Sequence, residues 1–239
     1  EIIKSSWVKG HFKNLWIDFF RSLSKCAYMK AEKVITLFNR NKEIEIELGC
    51  DENKIEIIPN GVNVEDFKGI AQKDPDDKFI NIGAIVRIVP IKDIKTLIQA
   101  FALVKNYVKN AKLYIMGPAN EDMEYYEECT KLVELLRVKD IVFTGGVNIK
   151  DYVGKMDILV LSSISEGQPL AILEGMACSR PFVTTDVGCC RELLYGLGDD
   201  KEEAGIVVPV MDYEKMGAAL VQLCKNPELR EKMGKTAFR

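Results

Sequence analysis

The sequence lacks the residue spacings from which zinc centres and disulfide frameworks are made. There is one histidine, His11, and none of the seven cysteines (Cys26, Cys50, Cys129, Cys178, Cys189, Cys190, Cys224) forms a CxxC pair or lies near a histidine cluster. That spacing indicates neither a zinc site nor a disulfide framework, and points to a reducing, cytoplasmic compartment. Most of these cysteines read as small buried hydrophobes, with Cys189-Cys190 as a reactive thiol only on a minority reading. No apolar run approaches the roughly 20 residues needed to span a bilayer. The net charge of -3 is small and well mixed, without the clustered Lys and Arg of a nucleic-acid binder. No internal repeat or low-complexity tract is present. The chain begins at Glu1 without a methionine or a signal-like n-region, as expected of a fragment of a longer protein.

From Lys78 onward, strand-length apolar runs alternate with helical patterns: FINIGAIV, KLYIMG, IVFTG, DILVLSS, PFVTTD and GIVVP. Nearly continuous apolar runs suit strands covered on both faces, so the pattern predicts an α/β fold with a Rossmann-like, doubly wound parallel sheet. Ile94, Leu97, Ile98, Phe101, Val104 and Val108 form one helical stripe behind Asp93, a candidate N-cap. A second helix is predicted from about Glu121 to Arg137, with Leu132, Val133 and Leu136 apolar. Met216, Leu220 and Leu223 mark a third, interrupted at Asn226-Pro227. No GxGxxG follows FINIGAIV, which counts against a dinucleotide-dependent dehydrogenase; NADH titration would separate that class.

The first sixty residues read differently. They hold an aromatic helix (Trp16, Phe19, Phe20, Leu23), the strand VITLF, a charged helix around NKEIEIEL and a short strand ending in Pro59-Asn60-Gly61. That is too little for an independent domain. The turn chemistry at Asn60-Gly61 and Asp74 to Asp77 places a boundary between about Gly61 and Lys78, giving regions 1–70 and 71–239. The aromatic stripe suits a helix packed on a partner domain better than a membrane-surface helix.

Two glutamates, Glu166 and Glu174, stand eight residues apart around the Gly167-Gln168-Pro169 loop. This loop follows the strand DILVL at its carboxyl end, where parallel sheets bind ligands. Pro169 suits the first helical position, leaving the amides of Leu170, Ala171 and Ile172 at a helix N-terminus that attracts anions, phosphate above all. Read alone, Glu174 is an exposed or salt-bridged helical residue; read with the loop, it is an acceptor for sugar or ribose hydroxyls. Arg87 and Lys92 straddle another strand-to-helix loop. They suit a diphosphate as fork and point charge, or equally plain surface solvation, and the loop alone does not choose.

Four collinear segments carry a resemblance: IIPNGVNVEDF, GAIVRIVPIKDIKTLIQAF, SEGQPLAILEGMA and TDVGCCREL. Over about residues 30 to 239 the chain resembles the C-terminal, donor-binding half of a family 4 retaining glycosyltransferase of the GT-B type, with a remnant of the N-terminal acceptor domain in 1–70. RIVPIKDIKTL and SISEGQPLAILE resemble most closely the PelF-like exopolysaccharide enzymes, which use UDP-glucose. The resemblance implies that Arg87 and Lys92 hold the donor diphosphate and neutralise the leaving nucleotide. It implies that Glu174 accepts from the ribose hydroxyls and that Glu166 meets the transferred sugar near its reacting carbon. The amides of Leu170 and Ala171 would close on sugar and phosphate beside Gln168 and Pro169, with Val147 a weaker candidate for base contact. The implied catalytic set is Glu166, Arg87 and Lys92, acting on a UDP-sugar without a metal. Positive charge beside a departing diphosphate lowers the barrier to breaking the anomeric bond. Retention would come from same-face attack guided by the leaving phosphate, with Glu166 as a nucleophile the weaker alternative.

Two departures from the family pattern stand out: Cys189 replaces a second glycine after Gly188, and Gly-Gln-Pro replaces the usual Gly-Phe-Gly, so that Pro169 removes one amide from the anion site. No family motif surrounds His11, which reads as structural or exposed rather than as a base. The last helix reads as cut short at Arg239, and residues 1–239 alone as binding donor without turnover. A glycan acceptor and a membrane synthase complex are the implied partners, and nucleic acid is not. A donor-binding domain without catalysis and a UDP-sugar epimerase of the same architecture remain as alternatives.

Overall fold

The computed structural model describes residues 13–196 and 202–239. They form two compact units that divide between Asn60 and Gly61, ahead of the residue 70 expected from turn composition. The reason lies in the residues that follow Gly61: Phe67 and Ile70 pack against the core of the second unit. A Cβ on Gly154 would lie 2.4 Å from the carbonyl oxygen of Ala71, so the linker is laid directly on that unit.

The first unit contains helix α1 (Lys13–Lys30), strand β1 (Val34–Thr36), helix α2 (Asn39–Glu47) and strand β2 (Ile55–Ile57). β1 and β2 pair in parallel, Val34 opposite Ile55, which requires a crossover such as α2 provides. In α1 the rings of Trp16, Phe19 and Phe20 touch one another, and Trp16, Phe19 and Leu23 remain more than half exposed.

The second unit is built on the six predicted strands: β3 (Ile80–Ile85), β4 (Ala111–Met116), β5 (Ile141–Gly145), β6 (Ile158–Leu161), β7 (Phe182–Thr185) and β8 (Gly205–Val208). All neighbours are parallel and the order is β5-β4-β3-β6-β7-β8. The chain therefore builds outward from β3 to β5, then returns to lay β6 on the other side of β3. Every residue of β6 and β7 is buried, as an apolar run covered on both faces should be.

Helix α3 (Ile94–Tyr107) buries the predicted stripe, with Ile94, Leu97, Ile98, Phe101 and Val104 fully enclosed. It begins where predicted: Asp93 accepts from the Thr96 amide at 3.3 Å. Helix α4 (Met123–Leu136) turns the expected face inward, but the core covers it only in part. Tyr125 and Cys129 are its buried residues, Leu132 and Val133 pack at the margin, and Leu136 is 40% exposed. The inward line steps through 125, 129, 132 and 133, so Leu136 lies past the edge of the core. Helix α7 (Tyr213–Lys225) buries Met216, Leu220 and Leu223, and Pro227 opens α8 (Pro227–Phe238) with Asn226 as its cap.

Among the described residues the cysteines are free, and Cys50, Cys129, Cys189, Cys190 and Cys224 are buried. Burial pushes the Cys189 thiol up to about 11 and that of Cys190 to about 12, so neither is a thiolate at neutral pH. No described helix is long and apolar enough to cross a membrane.

Fully burying a side chain such as Phe contributes about 1.5–3 kcal/mol, and removing it adds the cost of a cavity. Phe101→Ala is therefore expected to lower unfolding stability by about 3–5 kcal/mol in urea denaturation. Leu135→Ala, at a residue 78% exposed, should stay within about 0.5 kcal/mol of the parent.

Candidate functional site

The return of the chain at β3 leaves a crevice between the carboxyl ends of β3 and β6, the position at which open α/β sheets bind ligands. Three loops meet there. The first leaves β3, passes through a 3-10 turn at Pro90–Lys92 and enters α3. The second leaves β6 and leads into α5 (Leu170–Ala177), and the third leaves β7 and leads into α6 (Cys190–Tyr195).

Buried hydroxyls tie these loops together. Ser162 Oγ donates to the Lys92 carbonyl at 2.8 Å and the Ile164 amide to the Ile91 carbonyl at 2.9 Å, joining the first loop to the second. Thr185 Oγ1 donates to the Ser163 carbonyl at 2.6 Å, and the Cys189 amide to the Gly167 carbonyl at 3.0 Å, joining the second to the third. Gly188 has φ of 53°, and a Cβ there would lie 2.1 Å from the Gly167 oxygen, so glycine is required on both counts. The next residue does not need to be one: Cys189 has φ of -97° and is enclosed, which accounts for the first departure from the family pattern.

Within this frame Lys92 Nζ lies 2.5 Å from Glu166 Oε1, and Ser163 Oγ donates to the same oxygen at 2.6 Å. The two charged side chains are only 16% and 11% exposed. The resemblance implied separate contacts for these two, Lys92 with the diphosphate and Glu166 with the sugar; in the structure they are partners of each other. Neighbouring strands launch both loops, and an ammonium and a carboxylate this enclosed stabilise each other where either alone would be costly.

Arg87 does not join them. It is exposed and pairs with Glu121, beyond β4, at 2.6 Å. The two cations expected to act on one diphosphate thus contact different carboxylates.

Pro169 occupies the N-cap of α5 rather than its first helical position, and Leu170 opens the helix. Pro169 has extended backbone (ψ 119°), and its carbonyl accepts from the Ile172 amide at 3.1 Å. Of the three amides expected at this end, those of Leu170 and Ala171 are the ones left to a ligand. Gln168 sits half-buried beside them. Glu174 lies in the second turn of α5, and burial holds its carboxyl above the usual range, with the Lys150 ammonium pulling it partway back. Lys150 belongs to the loop after β5 that also carries Val147, which packs against the core. Among the described residues Glu174 shares no hydrogen bond with the Lys92–Glu166 pair. No group of three or more His, Cys, Asp or Glu is placed to hold a metal among those residues. His11 lies outside them.

Ser163, Thr185 and Glu121 were not singled out from the sequence. The signal for the first two was the polar ending of two otherwise apolar strands, DILVLSS and PFVTTD. For Glu121 it was an acidic cluster at the carboxyl end of a strand next to β3.

Residues 76–226 match the model of the family described as glycosyl transferases group 1, and residues 1–53 match a domain of unknown function, DUF3492. The chain is 27% identical over 243 residues to the UDP-Gal:alpha-D-GlcNAc-diphosphoundecaprenol alpha-1,3-galactosyltransferase of Escherichia coli, covering 96% of this chain and 58% of that protein. It is 26% identical over 250 residues to the N,N'-diacetylbacillosaminyl-diphospho-undecaprenol alpha-1,3-N-acetylgalactosaminyltransferase of Campylobacter jejuni, covering 99% and 63%. The crystal structure of Anabaena HepE in complex with UDP and glucose superposes with a TM-score of 0.77 at 18% identity, over 91% of this chain and 60% of that one. Sucrose-phosphate synthase from Thermosynechococcus elongatus gives 0.77 at 19% identity, over 98% and 58%. These structures share the fold, and the chain spans about three-fifths of the length of the proteins it matches.

Breaking the central pair from one side leaves an enclosed charge. Lys92→Met is expected to cost about 1–3 kcal/mol of stability. In a double-mutant cycle, Lys92→Met with Glu166→Gln should cost less than the sum of the two, read by urea denaturation. Glu174 behaves oppositely. A carboxyl whose folded pKa is raised favours folding when protonated and loses that contribution as pH rises through the folded pKa. Glu174→Gln should therefore be more stable than the parent at neutral pH, with the difference shrinking as pH is lowered through that raised value.

Proposed function

This chain belongs to the group 1 glycosyltransferases, and from that we propose that it is the donor-binding part of a retaining enzyme that transfers a sugar from a nucleotide sugar to a glycan acceptor. The observation that carries the proposal is the enclosed Lys92–Glu166 pair at the crevice between β3 and β6, next to the Leu170 and Ala171 amides. An ammonium has three N–H donors, so Lys92 can hold Glu166 and still present N–H to a phosphate oxygen. Glu166 has spent Oε1 on Lys92 and Ser163, which leaves Oε2 to accept from sugar hydroxyls. With two donors on its other oxygen the carboxylate is a poor nucleophile, and this favours same-face attack. In that step the anomeric carbon–oxygen bond breaks with its electrons passing to the diphosphate, the acceptor hydroxyl forms the new bond, and its proton goes to the departing phosphate.

Lys92 and the two amides stabilise the developing dianion, with Arg87 joining once it exchanges Glu121 for phosphate, and this arrangement requires no metal. Glu174, its charge made costly by burial, gains most from ribose hydroxyls that donate to it. The wording RIVPIKDIKTL and SISEGQPLAILE supports placement in family 4 near the PelF-like exopolysaccharide enzymes. On that reading UDP-glucose is the first donor to test, a growing polysaccharide the first acceptor, and the cytoplasm the compartment.

Calorimetric titration with UDP, with and without EDTA and with GDP and NAD as comparators, tests the donor site. Selective UDP binding that survives EDTA is expected, weakened about tenfold or more by Glu174→Ala, on the scale of one lost charge-assisted hydrogen bond of about 1.5–3 kcal/mol. Equal binding of NAD, or UDP binding that needs a metal, would sink the assignment.

A further inference from the structure

At the opposite end of the sheet an open cleft of about 690 Å³ lies between the second half of α3, the end of α4 and the start of α7. We infer that this cleft is a second binding site, for a ligand carrying a phosphoryl group on an apolar body. It sits beside the amino-terminal edges of β4 and β5, one α3 length from Lys92, which is about 20 Å at 1.5 Å per residue.

Three observations converge on it. The first is charge. Lys109, Arg137 and Lys139 line the cleft and are exposed, and among the described residues none of their side chains has an ion-pair or hydrogen-bond partner. The one lining acid, Asp140, is already paired with Lys105 at 2.7 Å. Three cations around one concavity, unpaired among the described residues, give it a positive potential that an anion complements.

The second is construction. Lys105, with a side chain only 16% exposed, also donates to the carbonyls of Lys109 at 2.5 Å and Ala111 at 3.0 Å. One ammonium thus pins the end of α3, the start of β4 and the turn before β5, so the cleft wall is held before any ligand arrives. Leu103 and Val138 supply apolar surface within it, and the volume is that of a small-molecule site.

The third is backbone strain. Arg137 at φ 52° and Asp140 at φ 65° are both left-handed, and Met211 at φ 58° lies two residues before the lining Tyr213. These are three of the five such non-glycine residues among the described residues of the second unit. Arg137 is the C-cap of α4, where glycine or asparagine would be cheaper by roughly 1 kcal/mol. Folding does not ask for an arginine there, whereas a phosphoryl group does.

The same chemistry occurs on free phosphorylated compounds and on lipid headgroups, and the test separates them. Inorganic pyrophosphate is titrated calorimetrically into the chain with saturating UDP present. In parallel, the chain is sedimented with phosphatidylcholine vesicles with and without phosphatidic acid. The variant combines Lys109→Gln, Lys139→Gln and Arg137→Asn, the asparagine chosen because it tolerates a left-handed backbone. The parent is expected to bind pyrophosphate, phosphatidic-acid vesicles or both, and the variant to bind at least tenfold more weakly while its UDP affinity stays unchanged and its thermal midpoint is not lowered. Pyrophosphate binding alone assigns a free phosphorylated ligand, and vesicle binding that pyrophosphate competes away assigns a headgroup. Equal binding by parent and variant, or no binding by the parent in either arm, overturns the site. Failure of UDP to bind would count against the donor assignment and not against this cleft.

Discussion

The Lys92–Glu166 pair is the contact around which the candidate site is organised. It exists because the chain, having built the sheet outward from β3, must return and place β6 on the other side of the same strand. That return sets two strand-to-helix loops side by side. One ends in an ammonium and the other in a carboxylate, and at 2.5 Å in an enclosed position each offsets part of the desolvation cost of the other. The hydroxyls of Ser162, Ser163 and Thr185 then hydrogen-bond carbonyls and the carboxylate of the adjoining loops, so that the pair stands in a rigid frame.

This frame gives the two glutamates unlike environments. Glu166 has its charge satisfied and its orientation held by two donors to one oxygen. Glu174 sits two turns along, where burial without a bonded cation raises its pKa. One carboxylate is thus paired and preorganised, while the other improves only when a ligand donates hydrogen bonds to it. On the proposed function, a nucleotide sugar, with sugar hydroxyls at one end, ribose hydroxyls at the other and anionic oxygens between, would complement that division.

Much of this was legible in the chain because the responsible forces are local and periodic. The six apolar runs became six parallel strands, and the stripe from Ile94 to Val104 became the buried face of α3. Asp93 caps α3 as its position implied, and α7 ends at Asn226-Pro227 as expected, although the second helix that this pair opens was not foreseen. Glu166, Lys92 and the α5 terminus share the crevice that their positions after strands implied. What eluded the sequence was pairing across loops. Nothing local shows that Lys92 meets Glu166, that Arg87 turns to Glu121, or that Thr185 reaches Ser163, because those partners lie 74, 34 and 22 residues away and are brought together only by strand order. The α4 stripe was misjudged for a related reason. Periodicity identifies an apolar face, but how far the core extends along it is set by the neighbouring elements.

The sequence by itself determined the kinds of element, their order and the chemical groups carried at each strand end, since hydrophobic period, turn residues and caps act within a few residues. Tertiary structure alone decided which charges neutralise each other and which are left over. Pairing depends on distance in space, and the strand order brings Lys92 to Glu166 while leaving Lys109, Arg137 and Lys139 unmatched among the described residues around the cleft at the far end of the sheet.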